Sequence, residues 1–332
     1  MSEQPTIKLL PQPNLQPDDA VVNEAISRKW LYPLEGTPLL AFGPEMTQLL
    51  TALRVILVKD VARREKFREW LFPRMVPEEV LAKTGWLTNH REEAWLVDPK
   101  REFQFQADEP ELFPRHAKFP SEPLPYALDP IQCVSLYYAL FNRKFEPTDL
   151  PLRVFEYQGG WSHRYETAAK GLYRGIEFMR LELVWIASER EAITIRNKVL
   201  DETAGVLAEK FGLKVHVVES DSCFEEAAAP YDPNTIGARD ALMHYHPFQS
   251  VDLLVDCGGT DIEVVSAARH SFLASRFKMT AHDAAGHALD VWSGCLGVGL
   301  TRVAAAFLAE HSFDSTRWPD GVKLQIAELE GE

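Results

Sequence analysis

The sequence predicts an α+β fold in which helices flank a mainly antiparallel β-sheet. Strand-like segments recur along the chain, and few of them follow the strand–helix–strand order of a parallel sheet. Segments 153–157 and 178–186 are two such strands, and the polar connection 158–175 lets the second return antiparallel to the first. With 332 residues, of which 46% are hydrophobic, the chain is long enough to bury a large core.

The N-terminal region differs in composition from the rest. Residues 1–43 are rich in proline and polar residues, which predicts a loosely packed arm ahead of a folded domain over 44–332. That domain opens with a helix over 44–68, because apolar residues recur there every three or four positions. The basic residues in its second half are Lys59, Arg63, Arg64, Lys66 and Arg68. They form either a solvated face that the helix dipole favours or a docking patch for an acidic partner.

The remaining elements follow from local periodicity and turn residues. Further helices are predicted over 76–87, 134–141 and 189–211. Further strands are predicted over 70–73, 101–106, 214–219, 250–256, 262–267 and 276–279. The sequence contains no internal repeat and no low-complexity tract.

Charge and cysteine content narrow the classes of function. The formal net charge of −14 argues against a broad nucleic-acid-binding surface. The four cysteines form no closely spaced pair, which predicts reduced thiols or a metal site built from distant segments rather than a disulfide framework. The sequence contains neither a long apolar run nor a signal-peptide pattern, so we expect a soluble, cytoplasmic protein without membrane contact.

The segment 288–303 predicts a phosphate-binding turn. A short strand over 289–292 leads through three glycines into an amphipathic helix over 300–311. The glycines are Gly294, Gly297 and Gly299. The helix N-terminus favours an anion, and Arg302 in its first turn adds a planar fork of donors suited to phosphate. A plain glycine-rich connection with a solvated Arg302 is the alternative, whereas a dinucleotide-binding unit would need more residues after Arg302 than follow it.

Two segments together resemble the signature motifs of class II aminoacyl-tRNA synthetases. The stretch from Arg164 to Glu182 is similar to motif 2 of that family, and the stretch from Trp292 to Arg302 is similar to motif 3. The helix over 44–68 resembles motif 1, the dimerisation element, which implies a homodimer. The closest likeness is to the zinc-dependent, archaeal type of seryl-tRNA synthetase. It implies a class II antiparallel sheet flanked by helices, with the catalytic domain over 44–332.

The resemblance implies a zinc site formed by Cys133, Glu182 and Cys295. Two thiolates and one carboxylate leave one position of a tetrahedral Zn²⁺ open, as in reactive rather than structural sites. In this family the amino group of the substrate takes that position, and the pocket limits the substrate to serine, alanine or glycine. Arg180 and Glu182 would contact the substrate. On residue pattern alone, these two charges share one strand face, where charged side chains are usually solvated.

The resemblance also implies an ATP site. Arg164 and Arg302 match the catalytic arginines, the first at the α-phosphate and the second at the outgoing pyrophosphate. Glu166 would read adenine. Glu263 and Ser266 fall where the family holds Mg²⁺ with ATP, and their oxygens suit that ion. ATP, Zn²⁺ and Mg²⁺ are therefore the expected substrate and cofactors.

The region before the catalytic domain bears on the acceptor of the activated amino acid. The arm 1–43 is too short for the N-terminal tRNA-binding domain of seryl-tRNA synthetases, so we expect tRNA not to be a partner. A core of this kind resembles the bacterial amino acid:[carrier protein] ligases, which pass the aminoacyl group to the phosphopantetheine thiol of a small acidic carrier protein. The alternatives are a tRNA-charging synthetase, a tailoring ligase acting on a peptide or small molecule, and a non-catalytic paralogue with a binding role.

Overall fold

The computed structural model describes residues 20–97, 125–157, 161–164, 171–220, 224, 250–283 and 285–331. The α-helices are α1 (Ala20–Ser27), α2 (Pro44–Leu57), α3 (Glu78–Thr84), α4 (Trp86–His90), α5 (Cys133–Ala139), α6 (Glu189–Gly205), α7 (Phe272–Arg276), α8 (Leu300–His311) and α9 (Asp320–Glu330). The π-helical turns Val58–Arg63 and Val206–Lys210 extend α2 and α6. In the described ranges, no helix combines the length and apolar character needed to cross a bilayer.

Sixteen strands occur in the described ranges. They are β1 (Leu31–Pro33), β2 (Leu40–Phe42), β3 (Arg68–Glu69), β4 (Met75–Pro77), β5 (Leu96–Val97), β6 (Tyr126–Leu128), β7 (Lys144–Phe145), β8 (Leu152–Glu156), β9 (Trp161–His163), β10 (Glu177–Ala187), β11 (Val215–Ser220), β12 (Ser250–Asp256), β13 (Asp261–His270), β14 (Thr280–His282), β15 (Ala288–Leu289) and β16 (Trp292–Gly299). Eight of them form the central sheet, in the order β11–β12–β13–β16–β10–β8–β3, with β9 paired to β10. All pairs in it are antiparallel except β3 with β8, which confirms the predicted α+β fold.

Strand β10 shows how residues alternate between the two faces of this sheet. Leu181 and Trp185 point to one face and pack in a core with helices α2, α6 and α8. Val184 points to the opposite face and packs in a second core with helices α3, α5 and α7. Because side chains on a strand alternate, Arg180 and Glu182 share this second face, as predicted. The second face carries the candidate site.

Several predicted elements differ from the observed ones. The segment 276–279, predicted as a strand, contains the end of α7 and the loop after it. The segment 70–73 follows the short strand β3 as a loop, where Pro73 has no N–H for strand pairing. The segment 101–106 lies outside the described residues.

The described part of the N-terminal arm packs against the rest of the chain. Ala25 and Leu31 are buried in the first core. The ring of Trp30 lies edge-on to Phe313 and Trp318, with ring centroids 5.0 and 6.1 Å apart. The expected loose packing is therefore wrong for residues 20–31, whose apolar side chains pack against the first core, whereas residues 32–38 are exposed. The domain boundary at residue 44 stays a prediction.

Candidate functional site

Five residues form one transverse row on the second face of the sheet. The row runs through Asp252, Ser266, Gly297, Glu182 and Glu156, and each residue is directly paired with the next on the neighbouring strand. Paired residues on antiparallel strands point to the same face, with Cβ atoms about 5 Å apart. Polar groups from four strands therefore meet on one surface, with a glycine in the middle.

Cys133, Glu182 and Cys295 form a buried cluster beside this row. Cys133 begins α5, and Cys295 on β16 pairs with Val184, two positions along β10 from Glu182. The ligand atoms of the three side chains all lie within 4.8 Å of one another. Among the described residues, no other group of three or more His, Cys, Asp or Glu side chains has this geometry. The structure thus brings together the three predicted zinc ligands from distant segments.

The donor set of this cluster fits zinc. Two thiolates and a carboxylate are ligands that Zn²⁺ accepts, and three protein ligands leave one tetrahedral position open. Glu182 is fully buried, and its nearest cationic group is Arg180, whose Nε lies 2.5 Å from Oε2. A divalent cation would compensate the negative charge of the carboxylate and of the two deprotonated thiols, all of which are removed from water.

Burial and mutual contact perturb the ionisation of the cluster. Burial raises the pKa of Glu182 to about 8, against the opposing influence of the Arg180 charge. The neighbouring Cys133 thiol and His270 imidazole hold the pKa of the Cys295 thiol well below its usual range, although burial opposes them. Bound zinc would favour the anionic form of all three ligands, because ligands bind the metal deprotonated.

Arg302 and Glu263 lie together where β16 passes into α8. Arg302 Nη1 is 3.4 Å from Glu263 Oε1 and donates to the Glu263 carbonyl oxygen at 3.0 Å. Arg302 Nε donates to the carbonyl oxygen of Tyr173 at 2.9 Å. These backbone bonds fix the guanidinium plane, and 30% of the side chain is still exposed. The arrangement presents a preorganised cation to an anionic ligand.

Asp252 is a candidate residue that the sequence analysis missed. Burial raises its pKa to about 7, the Glu263 carboxylate acts in the same direction, and hydrogen bonds from Ser266 and Ser220 act against both. The Ser220 hydroxyl donates to Asp252 Oδ1 at 2.8 Å. A hydroxyl and carboxylates at one place suit Mg²⁺, so Glu263 and Ser266 fit their predicted role and Asp252 adjoins them. The signal in the sequence is an acid that interrupts the apolar residues of β12.

Arg164 lies at the same end of the sheet as Arg302. It follows β9, which pairs with the first residues of β10, and Arg180 on β10 pairs with Gly299 just before α8. The Arg164 backbone N–H donates to the Ile176 carbonyl oxygen at 3.0 Å. Its guanidinium lies 3.8 Å from Glu93 Oε2, a partner that the sequence did not indicate. Glu166, the predicted adenine-binding residue, lies outside the described residues.

A second group of buried charges adjoins Glu182. Arg74 forms an ion pair with Glu156 and lies 3.7 Å from Asp129 Oδ2, and both acids have fully buried side chains. Burial raises the pKa of Asp129 to about 7 and also raises that of Glu156, while the Arg74 charge lowers both. These ion pairs connect the loop after β3 to the row of site residues.

The glycines of 288–303 have a different role from the predicted one. Strand β16 runs through them, and α8 begins directly after Gly299, so they form no turn. A Cβ at Gly294 would overlap the Trp185 ring, and a Cβ at Gly297 would overlap the Arg180 guanidinium. Glycine is required at both positions because the Trp185 and Arg180 side chains on β10 occupy the space that a Cβ would fill. The predicted turn is therefore wrong, whereas the helix with Arg302 in its first turn is confirmed.

Comparison with known protein families matches residues 118–311 to the class II tRNA synthetase core domain (G, H, P, S and T). The type-2 serine–tRNA ligase of Methanopyrus kandleri is 29% identical over 334 residues, which cover 95% of this chain and 61% of the relative. That of Methanothermobacter thermautotrophicus is 28% identical over 322 residues, covering 92% and 60%. The chain therefore spans about 60% of the length of these curated relatives.

Solved structures show the same likeness. The M. kandleri seryl-tRNA synthetase, solved in complex with A. aeolicus tRNASec, matches with a TM-score of 0.76 and 27% identity, covering 98% of this chain and 63% of that chain. The Giardia lamblia prolyl-tRNA synthetase, solved with prolyl-adenylate, has a TM-score of 0.68 and 17% identity over 88% of this chain and 52% of that chain. At that identity the second match concerns the fold alone.

Proposed function

This chain belongs to the class II tRNA synthetase core family, and we propose that it is a ligase that activates a small amino acid with ATP. The family match confirms the class II type of antiparallel sheet expected from the motifs. The observation that carries the proposal is the buried Cys133, Glu182 and Cys295 cluster, which lies on the same sheet face as the polar row that leads to Glu263 and Arg302.

Cys133, Glu182 and Cys295 would hold zinc and so select the substrate. When bound, zinc would supply a Lewis-acidic position that a neutral α-amine can occupy. Arg180, held over Gly297 and ion-paired with Glu182, would attract the substrate carboxylate toward the ATP end of the sheet. The cluster is enclosed by buried side chains such as Tyr137 and Val184, which supports serine, alanine or glycine as the substrate.

The remaining site residues would promote attack of the amino-acid carboxylate on the α-phosphorus of ATP. Arg164 would stabilise the negative charge that develops on the α-phosphoryl group, and Arg302 would hold the outgoing pyrophosphate. Glu263 and Ser266 would bind Mg²⁺, which when bound neutralises phosphate charge. Glu166 would bind adenine. Positioning and charge compensation dominate this step, because it needs little acid–base chemistry from the protein.

Amino-acid-dependent exchange between ATP and labelled pyrophosphate tests this proposal. We expect exchange with one or more of serine, alanine and glycine, and none with larger amino acids. The α-hydroxy acid of the same side chain is the matched control, since it lacks the amine that the open metal position selects. Failure of every one of the twenty amino acids to support exchange would refute the proposal.

The names of the relatives favour tRNA as the acceptor, against our expectation from the sequence. The relatives are serine–tRNA ligases, and the M. kandleri enzyme was solved with a tRNA. We therefore propose serine transfer to tRNA as the first acceptor reaction. Formation of acid-precipitable seryl-tRNA from unfractionated tRNA tests it, and exchange without any aminoacylation of tRNA would contradict it.

The exposed basic segment that follows α2 supports a carrier protein as a second candidate acceptor. It runs from the π-helical turn to β3, and its five basic residues are all exposed: Lys59, Arg63, Arg64, Lys66 and Arg68. Arg64 lies 3.6 Å from Glu202 with 68% of its side chain exposed, so most of its charge faces solvent. Charge reversal at Arg63, Arg64 and Lys66 should weaken binding of an acidic phosphopantetheine carrier protein. Unchanged affinity would remove this candidate.

We also propose that the protein forms a homodimer through the region of β3 and the loop after it. Leu71 in this loop and Met75 at the start of β4 are exposed, with relative exposures of 65% and 50%, and β3 is the last strand of the central sheet among the described residues. Exposed apolar side chains next to a sheet edge favour association. Sedimentation should show a dimer that Leu71→Glu with Met75→Glu converts to monomer.

A further inference from the structure

His270 is a buried histidine close to the proposed zinc ligands that the reaction above does not use. Its side chain has no exposed surface, and it ends strand β13. Ala268 pairs with Cys295 on β16, and His270 pairs with Ser293. These four residues therefore share one face of the sheet, and His270 is the diagonal neighbour of Cys295.

Two aromatic rings restrict the orientation of the His270 imidazole. Phe224 lies edge-on to it with ring centroids 4.9 Å apart, and Phe272 lies edge-on at 5.8 Å. On the same face, Cys295 lies diagonally across from His270 on β16, and the imidazole lowers the pKa of the Cys295 thiol. A ring that is enclosed by aromatic edges has few polar directions open to it, which favours a donor directed toward Cys295.

The net charge of the cluster with zinc bound favours a hydrogen-bond donor beside Cys295. Two thiolates and a carboxylate exceed the charge of Zn²⁺ by one negative unit, and the cluster is removed from water. Arg180 compensates this excess on the Glu182 side. On the Cys295 side, His270 is the diagonal neighbour on the same sheet face, and its imidazole lowers the pKa of the Cys295 thiol. Hydrogen bonds to a ligand atom orient it and moderate the charge that it donates to a metal.

We propose that His270 is a positioning residue of the zinc site, whose N–H donates a hydrogen bond to Cys295 Sγ. This bond fixes the direction of the thiolate and reduces its charge donation, so that the metal keeps a free position for a neutral amine. The inference rests on the proposed function, because it presupposes zinc at Cys133, Glu182 and Cys295.

The test measures metal binding to the purified full chain without ATP or amino acid. Zn²⁺ affinity is obtained by competition with a chromophoric chelator, and Co²⁺ loading reports the sulfur-to-metal charge-transfer band. His270→Phe keeps an aromatic ring between Phe224 and Phe272 but removes the donor. We expect about 10- to 100-fold weaker Zn²⁺ binding and a shifted Co²⁺ band. His270→Asn or His270→Gln, which restore an N–H at one or the other ring position, should recover part of the affinity.

His311→Phe is the matched control. His311 packs against Phe307 with ring centroids 4.7 Å apart, and its Nε2 contacts the Phe211 carbonyl oxygen at 2.7 Å, within the first core. This variant loses a similar histidine without touching the zinc ligands, so it should keep wild-type metal affinity and an unshifted Co²⁺ band. If His270→Phe does not fold, His270→Leu takes its place with the same expected loss.

The outcomes separate this inference from the proposed function. If wild-type protein does not bind Zn²⁺, or if Cys295→Ser does not weaken binding, the proposed zinc site itself is wrong. If wild-type binding depends on Cys295 but folded His270→Phe or His270→Leu binds Zn²⁺ with unchanged affinity and an unshifted Co²⁺ band, only the role of His270 is overturned.

Discussion

Two glycines on strand β16 allow the core and the site to be perturbed separately by the same one-methyl change. Gly294 lies under the Trp185 ring, and Gly297 lies under the Arg180 guanidinium, so a Cβ at either position overlaps its neighbour. Trp185 is fully buried and packs edge-on to Phe67, with ring centroids 6.5 Å apart. Its ring therefore has no space into which it can retreat. The Arg180 guanidinium lies at the end of a flexible side chain that is 12% exposed, so it can move away from an added methyl group.

These surroundings set different magnitudes for the two substitutions. In Gly294→Ala, overpacking of a rigid ring costs about 1–3 kcal/mol, partly offset by about 0.4–1 kcal/mol from the lower entropy of the unfolded chain. The expected net loss in the free energy of unfolding is on the order of 1–2 kcal/mol. In Gly297→Ala, stability should change by less than about 1 kcal/mol, because a flexible side chain absorbs the overlap. Displacement of Arg180 by about an ångström should lower the exchange rate on the order of 10²-fold.

Urea denaturation and ATP–pyrophosphate exchange on the same two variants measure both effects. We expect Gly294→Ala to lower the denaturation midpoint while keeping most of its exchange activity below the transition. Gly297→Ala should keep a denaturation midpoint close to that of wild type and lose most of its exchange activity. Normal exchange by Gly297→Ala would show that Arg180 has no role in substrate binding, and a wild-type midpoint for Gly294→Ala would contradict the packing argument.

Three further predictions concern charged residues. Burial raises the pKa of Asp129 to about 7, so ionisation of this carboxyl group opposes folding. As the pH rises from about 4 to about 7, the free energy of unfolding of wild type should therefore fall relative to that of Asp129→Asn, by a few kcal/mol and at most about 4. Urea denaturation measures this change, and a difference between the two proteins that does not vary with pH would refute the prediction. Arg302→Ala should lose on the order of 10²-fold or more in pyrophosphate exchange, with the exposed Arg317→Ala as control, and a near-normal rate would refute the assignment. Cys295→Ser should purify with much less zinc than wild type, and full zinc content would exclude Cys295 as a ligand.

The site residues that were identified from the sequence were found either from a local pattern or from resemblance to a family motif. Period-two alternation placed Arg180 and Glu182 on one face of β10, and the register with β16 confirms it. Resemblance to motifs linked Cys133, Glu182 and Cys295, and the structure brings them together. Both kinds of inference depend on residues within a segment or on a known family arrangement.

The site residues that were missed from the sequence reach the site through the pairing of strands that are distant in the chain. Asp252 reaches the site because β12 pairs with β13 in a register that opposes it to Ser266. His270 reaches Cys295 because β13 pairs with β16. The glycines were misinterpreted for the same reason, since the bulk that requires Gly297 belongs to a residue more than a hundred positions earlier, Arg180. Local periodicity contains no information on these pairings.

Removal and restoration of zinc during amino-acid-dependent ATP–pyrophosphate exchange tests the central claim most directly. The amino acid is the small one that supports exchange, and a chelator strips the metal before dialysis. Exchange should disappear in the stripped protein, return with one equivalent of Zn²⁺, and fail to return in Cys295→Ser. Full exchange by the stripped wild-type protein would contradict the claim that Cys133, Glu182 and Cys295 select the substrate through a metal.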